Sequence, residues 1–276
     1  MTVTPREMAH AVRFLAMDAI ARAGDGHPGT PLGAADICTA LFNRHLKFDP
    51  GCPQWPDRDR FVQSNGHGST LIYALLHLAG YEAFPIEQVR AFRELGSHTP
   101  GHPEYEPAHG VEVTTGPLGQ GIANAAGMAV AEAMLNAEFG DAIVDHYTYA
   151  LVGDGCLMEG IGHEIVSLAG HLRLGKLIFL YDSNRMTDDG ATSQAISEDY
   201  LTRFACAGWQ VQECDGHDQE ALAAAILLAK KDPRPSMIKC NTTIGFGVPR
   251  IQNQRVAHGG KLFEDDCRAA REHLGW

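Results

Sequence analysis

Asp154, in the segment VGDGCLMEG, follows directly on an apolar run that ends at Val152. Asn184, in YDSNRM, closes a second apolar run 184 − 154 = 30 positions later. A carboxylate and an amide oxygen are hard donors. With room for diphosphate oxygens and water they suit an octahedral Mg²⁺. Gly153 and Gly155 flank the carboxylate and let the backbone come close to a phosphate. A GDG turn alone is common in loops of every kind. The correctly spaced Asn184 is what makes it a site.

Histidine is the second chemical signal. Of the 14 histidines, four stand out in loop-like blocks that contain glycine: His27 in GHPG, His67 in GHGS, His102 in GHPE and His258 in AHGG. Imidazole donates and accepts protons near neutral pH, which suits proton transfer to and from a bound ligand. His10, His45, His77, His171 and His273 fall on helical patterns and read as ordinary helix residues.

The elements that must carry these residues follow from periodicity. Thr4, Pro5 and Glu7 start a helix that Gly24 ends. A second helix is expected over about Ala34–His45 and a short one over about Ile86–Leu95. The alanine-rich run from Ala123 to Ala133 reads as a helix whose small side chains let another helix approach, inside the chain or across an interface. Farther on, residues 147–152, 177–182, 209–214 and 236–240 read as strands, with helices over 157–173 and 217–231 between them. Strand, helix and strand with short links predict parallel strands and crossover helices. The fold class is therefore α/β, and ligands belong at the carboxyl ends of the strands. Residues 1–276 show no repeat or linker, so one domain is expected.

Composition narrows the function. Net charge is −12 and the basic residues are scattered, which argues against nucleic acid and against an anionic membrane surface. The apolar stretch from Pro117 to Phe139 contains Gln120, Asn124, Glu132, Asn136 and Glu138, so it reads as a buried helix and not a membrane span. Seven cysteines without CxxC spacing fit a reduced cytoplasm better than a disulfide framework.

GDG followed about thirty residues later by Asn resembles the signature of thiamine-diphosphate enzymes. The blocks GHPGTPLG (26–33), DRFVQSNGHGS (59–69), TPGHPE (99–104), TTGPLGQGIANA (114–125), HYTYALVGDGCLMEG (146–160), GKLIFLYDSN (175–184) and IGFG (244–247) resemble the transketolase family in particular, and in its order. The resemblance implies the thiamine-diphosphate-binding fold, a central parallel sheet with helices on both faces. It implies that Asp154, Asn184 and the Met186 carbonyl hold Mg²⁺, or another divalent cation such as Ca²⁺ or Mn²⁺. His67, Gly116, Pro117, Leu118, Gly155, Glu159, Asn184 and His258 would line the cofactor. His27, His102 and His258 would face a sugar or sugar phosphate, and Glu159 and Glu164 would lie at a subunit interface.

The implied reaction moves a two-carbon ketol unit from a ketose to an aldose. The family's activating glutamate lies outside the region of resemblance. The expectation is thus a partner, a C-terminal transketolase subunit supplying that glutamate, in a heterotetramer with two chains of each kind. His98, His109, Asn241 and residues 248–257 depart from the family pattern, and the first three are expected along a substrate channel. Such changes leave open a transketolase-like enzyme acting on an unusual sugar or a C1 aldehyde. The alpha subunit of a 2-oxo acid dehydrogenase shares GDG and Asn but not the histidine blocks. A non-catalytic paralogue conflicts with the retained Asp154, Asn184 and histidines.

Overall fold

The structure is a computed structural model that describes residues 3–276. Helix α1 (Pro5–Ala23) starts with the reciprocal Thr4–Glu7 capping box and ends on Gly24, whose φ of 75° suits glycine. Then come α2 (Gly29–Gly33), α3 (Ala35–Arg44), β1 (Arg60–Gln63), α4 (Thr70–Ala79), α5 (Ile86–Arg90) and α6 (Gln120–Phe139). The second half runs β2 (Thr148–Gly153), α7 (Asp154–Met158), α8 (Gly160–Leu172), β3 (Leu177–Ser183) and α9 (Tyr200–Cys206). It finishes with β4 (Gln210–Asp215), α10 (Gln219–Ala229), β5 (Ser236–Asn241) and α11 (Glu264–Leu274).

The five strands form one sheet in the order β1-β2-β3-β5-β4, every pair parallel. A parallel sheet is buried on both faces, and here alternate side chains feed two cores. Tyr149, Leu151, Ile178 and Leu180 pack with residues of α1, α3, α4 and α10. Ala150, Val152, Phe179 and Tyr181 pack on the other face with residues of α6, α8 and α9 and with Trp209. The expected α/β architecture is therefore present, with helices on both faces.

Several local expectations need correction. β1 was not expected, because three apolar or amide residues (Phe61, Val62, Gln63) are too few to set a pattern. Its pairing with β2 makes it a strand. The helix expected over about Ile86–Leu95 stops at Arg90, because Arg93 turns into the left-handed region (φ 65°) and its N–H bonds the Thr99 carbonyl. The helix expected over 157–173 is two helices. α7 begins at Asp154 itself, and Glu159 interrupts the run with extended backbone (φ −70°, ψ 145°).

The small residues of α6 divide between core and surface. Ala125, Ala126 and Ala129 are in the core, whereas Gly127, Ala131 and Ala133 are exposed together with Met134, Leu135 and Phe139. Among the described residues no helix is long and apolar enough to cross a membrane.

Candidate functional site

The register of β2 and β3 sets Gly153 beside Asp182, so the residues just beyond both strands emerge at the same edge of the sheet. Asp154 opens α7 there, and its carboxylate is fixed on both oxygens. The Tyr181 hydroxyl donates to Oδ1 (2.5 Å) and the Arg185 N–H to Oδ2 (3.0 Å). Asn184 is held as firmly: its Oδ1 accepts from the Met186 N–H (3.0 Å) and its Nδ2 donates to Asp182 Oδ2 (3.1 Å). The turn that allows this places Arg185 at φ 62°, a conformation uncommon for a side chain of its size.

A cavity of about 290 Å³ opens over these two residues. His67, Leu118, Gly155, Glu159, Met186 and His258 line it, with Thr30 and Asn65. Size does not single it out. A hollow of about 580 Å³ over Met8, Phe42, Leu75 and Trp276 is larger but mostly apolar, and it holds none of the histidines.

Four imidazoles gather at this end of the molecule. The His27 ring centroid lies 5.2 Å from His67, 5.8 Å from His258 and 6.3 Å from His102, and His67 stacks on His258 at 4.8 Å. Glycine is required for this closeness. A Cβ on Gly66 would overlap the Thr115 carbonyl, and one on Gly259 would come within 2.9 Å of His27 Cδ2. Burial, then the neighbouring His258, pulls His27 down to about 4 and His67 down to about 3. Burial lowers His102 and His258 as well. The cluster is therefore neutral at pH 7, with ring nitrogens able to take a proton as well as give one.

The donor set fits a divalent cation and a phosphate-bearing ligand. Burial pushes Asp154 up to about 6 against the pull of Tyr181 and Arg185, so its charge lacks compensation. No Lys or Arg pairs with it in a salt bridge among the described residues. A cation bound there would supply what the protein does not. Asn65 Oδ1 and His27 Nδ1 are also buried without a hydrogen-bond partner. Orphaned buried polar atoms of this kind mark places where a ligand or water completes the bonding.

Not every expected residue is gathered in. Gly116 abuts His102, since a Cβ on it would lie 4.0 Å from the ring, but neither it nor Pro117 lines the cavity. Glu159 is at the rim and exposed; Glu164 is exposed on α8, away from the cavity. His98, His109 and Asn241 do not line it either. Asn241 instead donates to Glu213 Oε1 (2.9 Å) at the far strand pair.

Sequence reasoning missed the framework beneath the histidines. Arg13 of α1 is 1% exposed and donates through Nε to the Leu32 carbonyl (2.9 Å), just after the segment carrying His27. The same guanidinium pairs with the buried Asp36 of α3. Asp36 also accepts from Gln219 Nε2 (2.9 Å) and lies 3.2 Å from His217 Nδ1. Since His217 Nε2 accepts the Thr243 N–H (3.1 Å), the ring proton belongs on Nδ1 and points at Asp36. One carboxylate thereby ties α1, α3 and the start of α10 to the 243–246 loop, which stacks Phe246 on His217 at 4.1 Å.

Residues 4–276 match the family model described as transketolase, thiamine diphosphate binding domain. The chain is 58% identical over 269 residues to a transketolase of Cereibacter sphaeroides, covering 98% of this chain and 41% of that one. It is 54% identical over 275 residues to transketolase 2 of Aliivibrio fischeri, again covering 98% of this chain and 41% of the relative. Among solved structures it is similar to the transketolase of Campylobacter jejuni, with a TM-score of 0.96 at 42% identity over 100% of this chain and 43% of that chain. A Pichia stipitis transketolase in complex with sedoheptulose-7-phosphate superposes with a TM-score of 0.95 at 45% identity, covering 99% of this chain and 41% of that one. The chain thus spans about two fifths of the length of the relatives it matches.

Proposed function

The chain belongs to the transketolase family through its thiamine diphosphate binding domain, and from that premise we propose that it is the diphosphate-and-cation half of a ketol-transferring enzyme. The observation that carries the reading is the pairing of Asp154 and Asn184 at the ends of two adjacent parallel strands, opposite the neutral histidine cluster. We read residues 1–276 as one domain.

Asp154, Asn184 and the Met186 carbonyl are the proposed ligands of Mg²⁺, which would neutralise the diphosphate in an acidic protein with little local positive charge. Gly155, Leu118, His67 and His258 would line the cofactor, with Gly116 and Pro117 backing that wall. The bound cofactor supplies carbon–carbon bond cleavage and formation at its thiazolium ring, moving a two-carbon ketol unit from a ketose to an aldose. Around it, His27, His102 and His258 orient sugar hydroxyls and exchange protons with them. His27 Nδ1 is unbonded to protein and so is available to take a hydroxyl proton and return it.

The carboxylate that activates the cofactor's aminopyrimidine would come from a second polypeptide, the C-terminal transketolase subunit. We propose an assembly with two chains of each kind, the simplest closed arrangement. Exposed Met134, Leu135 and Phe139 on α6 and Leu168 and Leu172 on α8 support a buried contact on that side, with Glu159 and Glu164 at its edge. The seven unpaired cysteines fit a reducing cytoplasm. The test is a coupled ketol-transfer assay with ketose and aldose phosphates, cofactor and Mg²⁺. No turnover is expected from this chain alone, and turnover is expected once the remainder of a transketolase is added. Turnover by the chain alone would exclude the split arrangement.

A further inference from the structure

The loop that carries His102 holds a second constellation outside the cavity. His98 lies before it, where its N–H donates to Gln88 Oε1 (2.8 Å). Glu106 and His109 lie after it, at the two ends of a turn closed by backbone bonds. Glu106 and Val111 exchange N–H···O bonds (2.9 and 3.2 Å), and the His109 N–H bonds the Glu106 carbonyl (2.8 Å). These backbone bonds set the three side chains in place.

We propose that His98, Glu106 and His109 bind a divalent transition-metal ion of zinc's chemistry, which clasps the two arms of the loop bearing His102. Their ligand atoms all lie within 4.8 Å of one another. His109 Nδ1 is 2.9 Å from one Glu106 oxygen and His98 Nδ1 is 3.4 Å from the other. Four-coordinate zinc with bonds of about 2.0–2.1 Å separates its ligand atoms by about 3.3 Å, so small side-chain rotations close the site. The two rings stand nearly perpendicular, 4.7 Å apart.

Two further features favour an ion over a simple hydrogen-bonded cluster. His109 Nδ1 is buried and makes no well-aligned hydrogen bond despite its closeness to Glu106, the arrangement of two donor atoms facing a shared ion. The side chains are between 29% and 42% exposed, so an ion enters from solvent and water completes the fourth position. Two imidazoles and one carboxylate suit zinc, whereas magnesium prefers oxygen ligands. This site is therefore distinct in chemistry from the Asp154–Asn184 pair. An ion here fixes both ends of the segment that presents His102 to His27.

The experiment uses the full chain, stripped with chelator and supplied with excess Mg²⁺. Zn²⁺ uptake is measured by equilibrium dialysis for the natural sequence, for His98→Ala with His109→Ala, for Glu106→Gln and for Asp154→Ala. Co²⁺ replaces Zn²⁺ in a parallel absorption experiment. The natural chain and Asp154→Ala should bind one more Zn²⁺ than the double variant and give the visible bands of four-coordinate Co²⁺. Glu106→Gln should bind at least about 10-fold more weakly. Equal Zn²⁺ stoichiometry and affinity in the natural chain and the double variant, or no Co²⁺ bands in either, overturns the proposal. Circular dichroism confirms that each variant is folded before it is compared.

Discussion

Replacing Asp36 with Asn should weaken the fold substantially and remove a specific part of its acid sensitivity. Burial opposes the Asp36 charge, but His217, Arg13 and Gln219 together overcome it and hold the carboxyl at about 2, against an ordinary value of 3.8. The difference corresponds to about 2 kcal/mol of folding stability, taking about 1.36 kcal/mol per tenfold change. Because the folded value is depressed, that stability is present above pH 3.8 and is lost as pH falls through about 2. Burial also pulls the Arg13 guanidinium below its ordinary value. It stays charged throughout, so the pH dependence belongs to Asp36. Asn brings an NH₂ group where three donors converge and leaves Arg13 buried without a counter-ion. Breaking a buried pair in this way typically costs about 3–5 kcal/mol. The assay is urea unfolding of the natural chain and Asp36→Asn from pH 7 down to pH 2. The variant should be less stable by about 3 kcal/mol or more at pH 7, and the gap should narrow by about 2 kcal/mol at the acid end. A gap below about 1 kcal/mol at pH 7, or one that does not change with pH, would refute the reasoning.

Other outcomes follow from the site itself. His27→Ala and His102→Ala should each lower turnover by about 10²–10⁴-fold while leaving cofactor affinity nearly intact, measured by steady-state kinetics and by cofactor titration of the assembled enzyme. Loss of affinity with turnover preserved at saturating cofactor would reassign the residue. The cofactor-free chain should also lose stability on acidification, because His27 folds with its value lowered to about 4. That contribution is complete above 6.5 and disappears as pH falls toward 4. His27→Gln should therefore make the fall of the unfolding midpoint between pH 7 and 5 shallower, with His67 keeping its own share of it, and an unchanged slope would show that His27 is not neutral in the fold.

How much of this was legible in the sequence depends on the range of the signal. Asp154 and Asn184 could be paired in advance because one short strand–helix–strand unit separates them, and parallel neighbours must bring their ends together. The break at Glu159 was invisible because GDGCLMEGIGHEIV keeps a helical rhythm across it, although the backbone there is extended. Arg13 and Asp36 escaped notice because a charged residue on an amphipathic helix usually faces water. A signal was present: His10, Arg13, Met17 and Ile20 recur on one helical face, and all four are buried. The bonding of Asp36 to residues 217 and 219 joins segments some 180 positions apart, and no local pattern encodes that. His98 and His109 were visible as departures from the family pattern, but only the turn at Glu106 brings them together.

The central claim is that the paired ends of β2 and β3 hold the cofactor's diphosphate through a divalent cation. It is tested most directly by titrating thiamine diphosphate into the purified chain by calorimetry, with and without Mg²⁺, in the natural sequence and in Asp154→Ala. Binding should require Mg²⁺ and should weaken by at least about 10-fold in the variant, whose circular dichroism should remain that of the folded chain. Equal affinity with and without Mg²⁺, or equal affinity in Asp154→Ala, would contradict the account.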